Sequence, residues 1–155
     1  MIRAAQLQDI PEILNVVHDS IRSCIKDHHR HESTIQIWLE NKTQSNLIMW
    51  MHYNDSWVYV LNQHVVGFIM VSDQGRILLN YISSAEQQRG IGKALLETVI
   101  EHLKRKKIHQ ISLESTQTAC SFYQKHGFQI HVQDIPNPKL VTMVKLLSSV
   151  LLTEV

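Results

Sequence analysis

The chain has 155 residues, 44% of them apolar, and a formal net charge of +1. That is enough for one domain with its own core, without the charge excess that would suit nucleic acid or a membrane surface. Cys24 and Cys120 lie far apart in sequence, so a disulfide framework is not expected and a reduced, cytoplasmic setting is. No apolar run reaches membrane-spanning length, and Met1 to Gln6 lacks the apolar stretch of a secretory signal.

Ile2-Arg3-Ala4 reads as a short first strand. Asp9 is placed as a helix N-cap, with Pro11 in the first turn and Glu12 completing a capping box. The helix it opens carries Ile10, Ile13, Leu14, Val17, Ile21 and Ile25 on one stripe and ends near Lys26-Asp27. A histidine-rich connection follows, His28-His29-Arg30-His31. Ser33 is placed as the cap of a second helix with Ile35, Trp38 and Leu39 on one face, and residues 43–53 remain ambiguous, one further helical turn or two.

The period then changes. Trp57 to Leu61, Val65 to Val71 and residues 76–83 form a meander, with turns at Asn62-Gln63 and Asp73-Gln74-Gly75. A helix over 92–107, a strand over 108–114, a helix over 116–126 and a strand over 129–133 come next. Pro136 and Pro138 break a loop before a last strand over 139–147. Gly127 supplies a left-handed C-cap, and Phe128 the hydrophobic contact that accompanies it. The basic run Lys104 to Lys107 falls on a last helical turn, where cations complement the dipole. The order β-α-α-β-β-β-α-β-α-β-β predicts an α/β (α+β) domain over 1–147, a mixed sheet with helices on its faces, and a short apolar tail over 148–155.

Between the apolar run Ile77 to Ile82 and the helix carrying Leu95, Leu96, Val99, Ile100 and Leu103 lies Gln87-Gln88-Arg89-Gly90-Ile91-Gly92-Lys93-Ala94. Glycines let the backbone turn so that several N–H groups point into one concavity. The first N–H groups of a helix lack partners, and the dipole adds partial positive charge there. With Arg89 and Lys93 at the rim, this is an anion-binding loop suited to a pyrophosphate. It is neither a Walker A loop nor a G-x-G-x-x-G fingerprint.

Gln87-x-x-Gly90-x-Gly92 resembles the acyl-CoA signature of the GNAT superfamily of N-acetyltransferases, and Ala119 to Phe128 resembles its second signature, A-x-x-F-Y-x-x-x-G-F. His18-x-Ser20-Ile21-Arg22, Ile35-x-x-Trp38 and Met143-x-Lys145 are similar to the YafP-like branch of small bacterial members. The resemblance implies a mostly antiparallel sheet of six to seven strands with about four helices, splayed between the fourth and fifth strands. It implies acetyl-CoA in that V, with backbone near Tyr81, Ile82 and Ser83 pairing with pantetheine. Gln87, Gln88, Arg89, Gly90, Ile91, Gly92 and Lys93 would hold the pyrophosphate, and Thr116, Ala119 and Tyr123 would border the far side. Two positions depart from the family pattern: Ser84 stands where many members carry proline, and Thr116 where many carry asparagine.

Acetyl transfer to an amine needs a polarised thioester, a neutral amine and a proton for the departing thiolate. Tyr123 is the candidate general acid, since a phenol keeps its proton at neutral pH; the alternative is a core aromatic beside Phe122. The Ile82 N–H suffices for the carbonyl. Residues 76–83 contain no carboxylate, which leaves Glu114 as a tentative base through water, or simply an exposed strand-end carboxylate. Ser20, Arg22, His28, His29 and Trp38 are candidates for the acceptor side. Trp38 and Trp50 could equally be packing residues, and the histidines lack a second ligand group at metal spacing. The expected partners are acetyl-CoA and an amine, with neither nucleic acid nor membrane, in a monomer or a homodimer for which Val150 to Leu152 would suit the contact. A non-catalytic acyl-CoA sensor with the same fold is the competing function.

Overall fold

The computed structural model describes residues 1–24, 29–131 and 140–147. Among the described residues lie seven strands: β1 (Ile2–Ala4), β2 (Asp55–Leu61), β3 (His64–Val71), β4 (Ile77–Ile82), β5 (Gln110–Thr116), β6 (Gln129–Ile130) and β7 (Leu140–Leu146). Five α-helices accompany them: α1 (Ile10–Ser23), α2 (Glu32–Glu40), α3 (Gln44–Tyr53), α4 (Ile91–Arg105) and α5 (Cys120–Lys125). This is the expected mixed, mainly antiparallel α/β architecture, with one helix more than the sequence order anticipates. Residues 43–53 resolve as α3, whose Thr43 hydroxyl accepts from the Asn46 N–H at 3.2 Å.

The strands form two sheets, β1-β2-β3-β4 and β5-β7-β6, with every ladder antiparallel. β3 is covered on both faces and reads accordingly as a continuous apolar run. Phe68 and Met70 pack with Ile10, Ile13, Val17 and Ile21 of α1, while Ile69 and Val71 pack with Leu95, Leu96, Val99 and Leu103 of α4. Those four α4 side chains are at most 1% exposed; their burial contributes about 6–12 kcal/mol before entropy is counted.

Among the described residues, one bridge joins the backbones of the two sheets. Arg76 and Ser112 form an isolated parallel bridge, and the Ser112 N–H donates to the Gly75 carbonyl at 2.9 Å. Gly75 sits at φ 87°, and a Cβ there would lie 2.5 Å from the Gln110 carbonyl oxygen. Only glycine allows this approach. Beyond the bridge, β4 and β5 share no ladder among the described residues. The result is a V, closed at Gly75 and open toward Ile82 and Thr116.

Several local expectations are corrected. Asp9 stands at the N-cap of α1 as expected, but its side chain makes no capping bond. It closes a 3-10 turn, Leu7–Asp9, and its carboxylate takes both Arg3 nitrogens at 2.8 Å and the Gln6 N–H at 2.8 Å. The charged fork outcompetes a neutral backbone donor. Glu12 reaches instead to His64 and the Val65 N–H on β3. α2 begins at Glu32 with His31 at the N-cap, so Ser33 lies inside the helix. α1 ends at Ser23, leaving Cys24 just past it. Thr116 ends β5 rather than opening a helix, and α5 starts only at Cys120. Ile25, Lys26-Asp27, His28, Pro136, Pro138 and residues 148–155 lie outside the described residues.

Candidate active site

The open end of the V is lined by the end of β4. The Ser83 N–H donates to the Val66 carbonyl at 2.8 Å. In an antiparallel ladder the bonded residues alternate, so Tyr81 also turns its backbone groups toward β3. Asn80 and Ile82 then direct theirs to the other edge, into the V. The Ile82 N–H thus faces the V.

After β4 the chain makes a 3-10 turn, Ser84–Glu86, and reaches the N-terminus of α4. Ser84 has a tether the sequence did not announce. Its N–H and hydroxyl both donate to Asp19 of α1, at 2.7 and 3.0 Å. A proline here would lack that N–H. Gln88 (φ 64°) and Gly90 (φ 80°) are both left-handed, so the backbone between them curls into a concavity. The first bond of the α4 ladder is from the Ala94 N–H to the Gly90 carbonyl at 3.0 Å. The N–H groups of Ile91, Gly92 and Lys93 precede it and point out of the helix. Arg89 and Lys93 are exposed, with ion pairs to Glu86 and Glu97 at 3.1 and 4.0 Å. His126 is held below the ordinary histidine value first by burial, then by Lys93, Lys125 and Lys145. Cations therefore gather beside this loop.

α5 forms the opposite wall. Phe122 meets Gly92, where a Cβ would lie 3.3 Å from its ring, so α4 and α5 approach closely. Tyr123 is only 7% exposed, wedged between the Phe122 and Phe128 rings at centroid distances of 5.2 and 5.4 Å. Gly127 (φ 92°) ends α5 as expected, and the Phe128 N–H returns to the Tyr123 carbonyl at 3.0 Å. The Tyr123 hydroxyl reaches across to β4 and accepts from Asn80 Nδ2 at 2.8 Å. Burial raises the Tyr123 phenol, and the Asn80 bond opposes the rise. Tyr81, packed toward α1, is pushed up to about 12, mainly by burial. Both phenols keep their protons at neutral pH.

The remaining candidates fall in different places. Thr116 uses its hydroxyl within the chain, accepting from the Ala119 N–H at 3.3 Å. Glu114 is exposed and paired with Arg76 at 3.2 Å, near the closed end of the V. Ser20 is buried on α1, and its carbonyl accepts from Ser23 Oγ and Cys24 Sγ. Arg22 pairs with Glu32 at 3.6 Å, tying α1 to α2. His29 is exposed in a left-handed turn, and Trp38 packs against the α1 core, as does Trp50. The sequence reading missed Asn80 and Asp19. Asn80 left a signal, the one polar side chain in Ile77-Leu78-Leu79-Asn80-Tyr81-Ile82. Asp19 left none.

The fold is thus a sheet split between β4 and β5, with the N-terminus of α4 at its mouth and the buried Tyr123 phenol on its far wall. The chain belongs to the acetyltransferase (GNAT) domain family, which matches residues 27–145. No curated protein matches the sequence. Among solved structures it is similar to the PaiA N-acetyltransferase of Thermoplasma acidophilum in complex with coenzyme A, with TM-score 0.84 and 19% identity over 94% of this chain and 98% of that one. A GCN5-related N-acetyltransferase from Rhodopseudomonas palustris gives TM-score 0.82 and 16% identity, over 94% of each chain. A ribosomal-protein-alanine N-acetyltransferase from Brucella melitensis gives 0.71 and 21%, over 94% and 99%. Identities this low make these likenesses of fold. Among the described residues, no helix is long and apolar enough to cross a membrane.

Proposed function

We propose that this chain moves an acetyl group from acetyl-CoA to a primary amine of a small molecule or peptide, with both bound in the V at once. The observation that carries the reading is the buried Tyr123 hydroxyl, held 2.8 Å from Asn80 across the opening. The Thermoplasma protein's complex with coenzyme A supports a coenzyme A carrier in the same place. Space beside Gly90, where a Cβ would meet nothing within 4 Å, and the free N–H groups of Ile91, Gly92 and Lys93 suit a pyrophosphate. In this reading Gln87 to Lys93 hold that group, and Tyr81, Ile82 and Ser83 pair with pantetheine. Thr116 and Ala119 border the far side.

The neutral amine attacks the carbonyl carbon, so a C–N bond forms as the C–S bond breaks. The Ile82 N–H donates to the carbonyl oxygen as charge gathers on it. Tyr123 gives its phenolic proton to the departing sulfur, and the phenolate recovers one through water. Glu114 takes the amine proton through a water. Ser20, Arg22, His28, His29 and Trp38 shape the acceptor side. Holding both reactants in one cleft supplies much of the rate. His18, Ser20, Ile21, Arg22, Ile35, Trp38, Met143 and Lys145 support a place in the YafP-like branch, and Cys24 and Cys120, without a disulfide, fit a cytoplasmic monomer or homodimer.

The test is thiol release from acetyl-CoA with a panel of amines. Turnover is expected, and Tyr123→Phe lowers kcat by about 100-fold or more while CoA affinity stays within about twofold. Tight CoA binding without turnover on any amine would favour the sensor, and full activity in Tyr123→Phe would remove the acid from Tyr123.

A further inference from the structure

Asn80 is an unlikely residue for its position on local grounds alone. Asparagine is a poor strand former, and its neighbours on β4 are apolar. Yet its carboxamide is held in the wall of the V. Nδ2 donates to the Tyr123 hydroxyl at 2.8 Å. Because Tyr123 is the acceptor in that bond, its own proton is not spent on Asn80. The other end of the carboxamide, Oδ1, is sealed from solvent and has no donor among the described residues. A buried carbonyl oxygen without a donor is a standing cost, and it calls for an explanation. Turning the amide over does not remove the cost. It would give Oδ1 to the phenol proton and strand Nδ2 instead.

We propose that Asn80 is a positioning residue that serves two partners: Nδ2 fixes the Tyr123 hydroxyl, and Oδ1 accepts the amide N–H of the pantetheine arm nearest the sulfur. This rests on the reading of the V as a coenzyme A site. The chemistry of the donor sets the choice. If the phenol meets the sulfur, the closest ligand N–H is the cysteamine amide, two methylenes away. That span is comparable to the one from the Tyr123 oxygen through Nδ2 to Oδ1. The arm enters between β4 and β5, and in parting those walls it uncovers Oδ1. Its N–H then selects the amide orientation in which Nδ2 faces Tyr123, so that coenzyme binding sets the acid.

The test is calorimetric binding of coenzyme A and of adenosine diphosphate, which keeps the pyrophosphate but lacks the arm. Asn80→Leu, similar in shape and apolar, is expected to weaken coenzyme A binding about 5- to 10-fold and to leave adenosine diphosphate binding unchanged. Asn80→Asp keeps an acceptor for the arm but offers its other oxygen to the phenol proton. It is expected to hold coenzyme A as the wild type does, and on any amine that supports thiol release to lower kcat without raising KM for acetyl-CoA. If folded Asn80→Leu binds coenzyme A as tightly as the wild type, the proposal fails and the coenzyme reading stands. If the wild type binds no coenzyme A, both fail together. Equal losses for both ligands would mark a merely structural asparagine and would also overturn it.

Discussion

The closed end of the V depends on Gly75, and Gly75→Ala measures how much. Two costs add. An L-residue at φ 87° pays roughly 1–2 kcal/mol for the left-handed conformation. The new Cβ would start 2.5 Å from the Gln110 carbonyl oxygen, which is backbone and cannot swing aside. The two strands must part, which weakens the Ser112 N–H bond to the Gly75 carbonyl, now 2.9 Å. That bond carries about 0.5–1.5 kcal/mol. The sum is about 1.5–3.5 kcal/mol, or a fall in Tm of roughly 3–14 °C for a domain of this size. Gly90→Ala is the matched control. Gly90 is also left-handed, at φ 80°, but a Cβ there meets nothing within 4 Å. It pays only the conformational part, about 1–2 kcal/mol. Thermal unfolding followed by circular dichroism, without ligand, compares the two. A Gly75→Ala variant no less stable than Gly90→Ala would refute the claim that the strands are packed to contact at this bridge.

Three further outcomes follow from named contacts. Asp19→Ala removes both tethers on Ser84 and is expected to weaken coenzyme A binding about 3- to 10-fold, with stability changed by about 1 kcal/mol or less because the site is exposed; unchanged affinity by calorimetry would separate the tether from the loop. Gly92→Ala gains helix propensity of about 1 kcal/mol but presses a Cβ to 3.0 Å from Ile82 and 3.3 Å from Phe122, so unfolding in urea is expected near wild type while thiol release falls, and a clear loss of stability would contradict it. The Arg3 guanidinium holds Asp9 below the ordinary carboxylate value. A depressed carboxylate stabilises above its unfolded value and loses that stability as pH falls through the folded one. The urea-midpoint gap between wild type and Asp9→Asn should therefore be full above about pH 4 and close below it, and a gap that persisted in strong acid would exclude this pair as its source.

What the sequence disclosed follows from how local each feature is. The stripe Ile10, Ile13, Val17, Ile21 and the α4 set Leu95, Leu96, Val99, Leu103 belong to single helices, so periodicity exposes them and burial agrees. Gly127-Phe128 is read from two adjacent residues for the same reason. Helix starts were less legible, because capping is a competition. Asp9 had the right chemistry for a cap, but Arg3, six residues earlier, offered two charged donors. Thr116 looked helical until β7 claimed it: it pairs with Leu140 across the second sheet.

The site divides along the same line. The proposed donor side is built from two short stretches, 83–93 and 116–128, each a strand end feeding a helix, so its residue types and spacing are visible in one dimension. Its cross-wall contacts are not. Asn80 meets Tyr123 across 43 residues, and Asp19 meets Ser84 across 65. The first pair exists because the sheets close at Gly75 and diverge from there, the second because α1 packs on the sheet that β4 ends. A lone asparagine in an apolar strand betrays that something must meet it, yet nothing nearby in sequence says what. The acceptor side proposed above would lie further along this scale, on α1, the His29 turn and α2, where the contacts are an ion pair and side-chain packing rather than a motif. A reading by motif therefore reaches the acetyl donor first, and the amine has to be reached through the geometry of these walls.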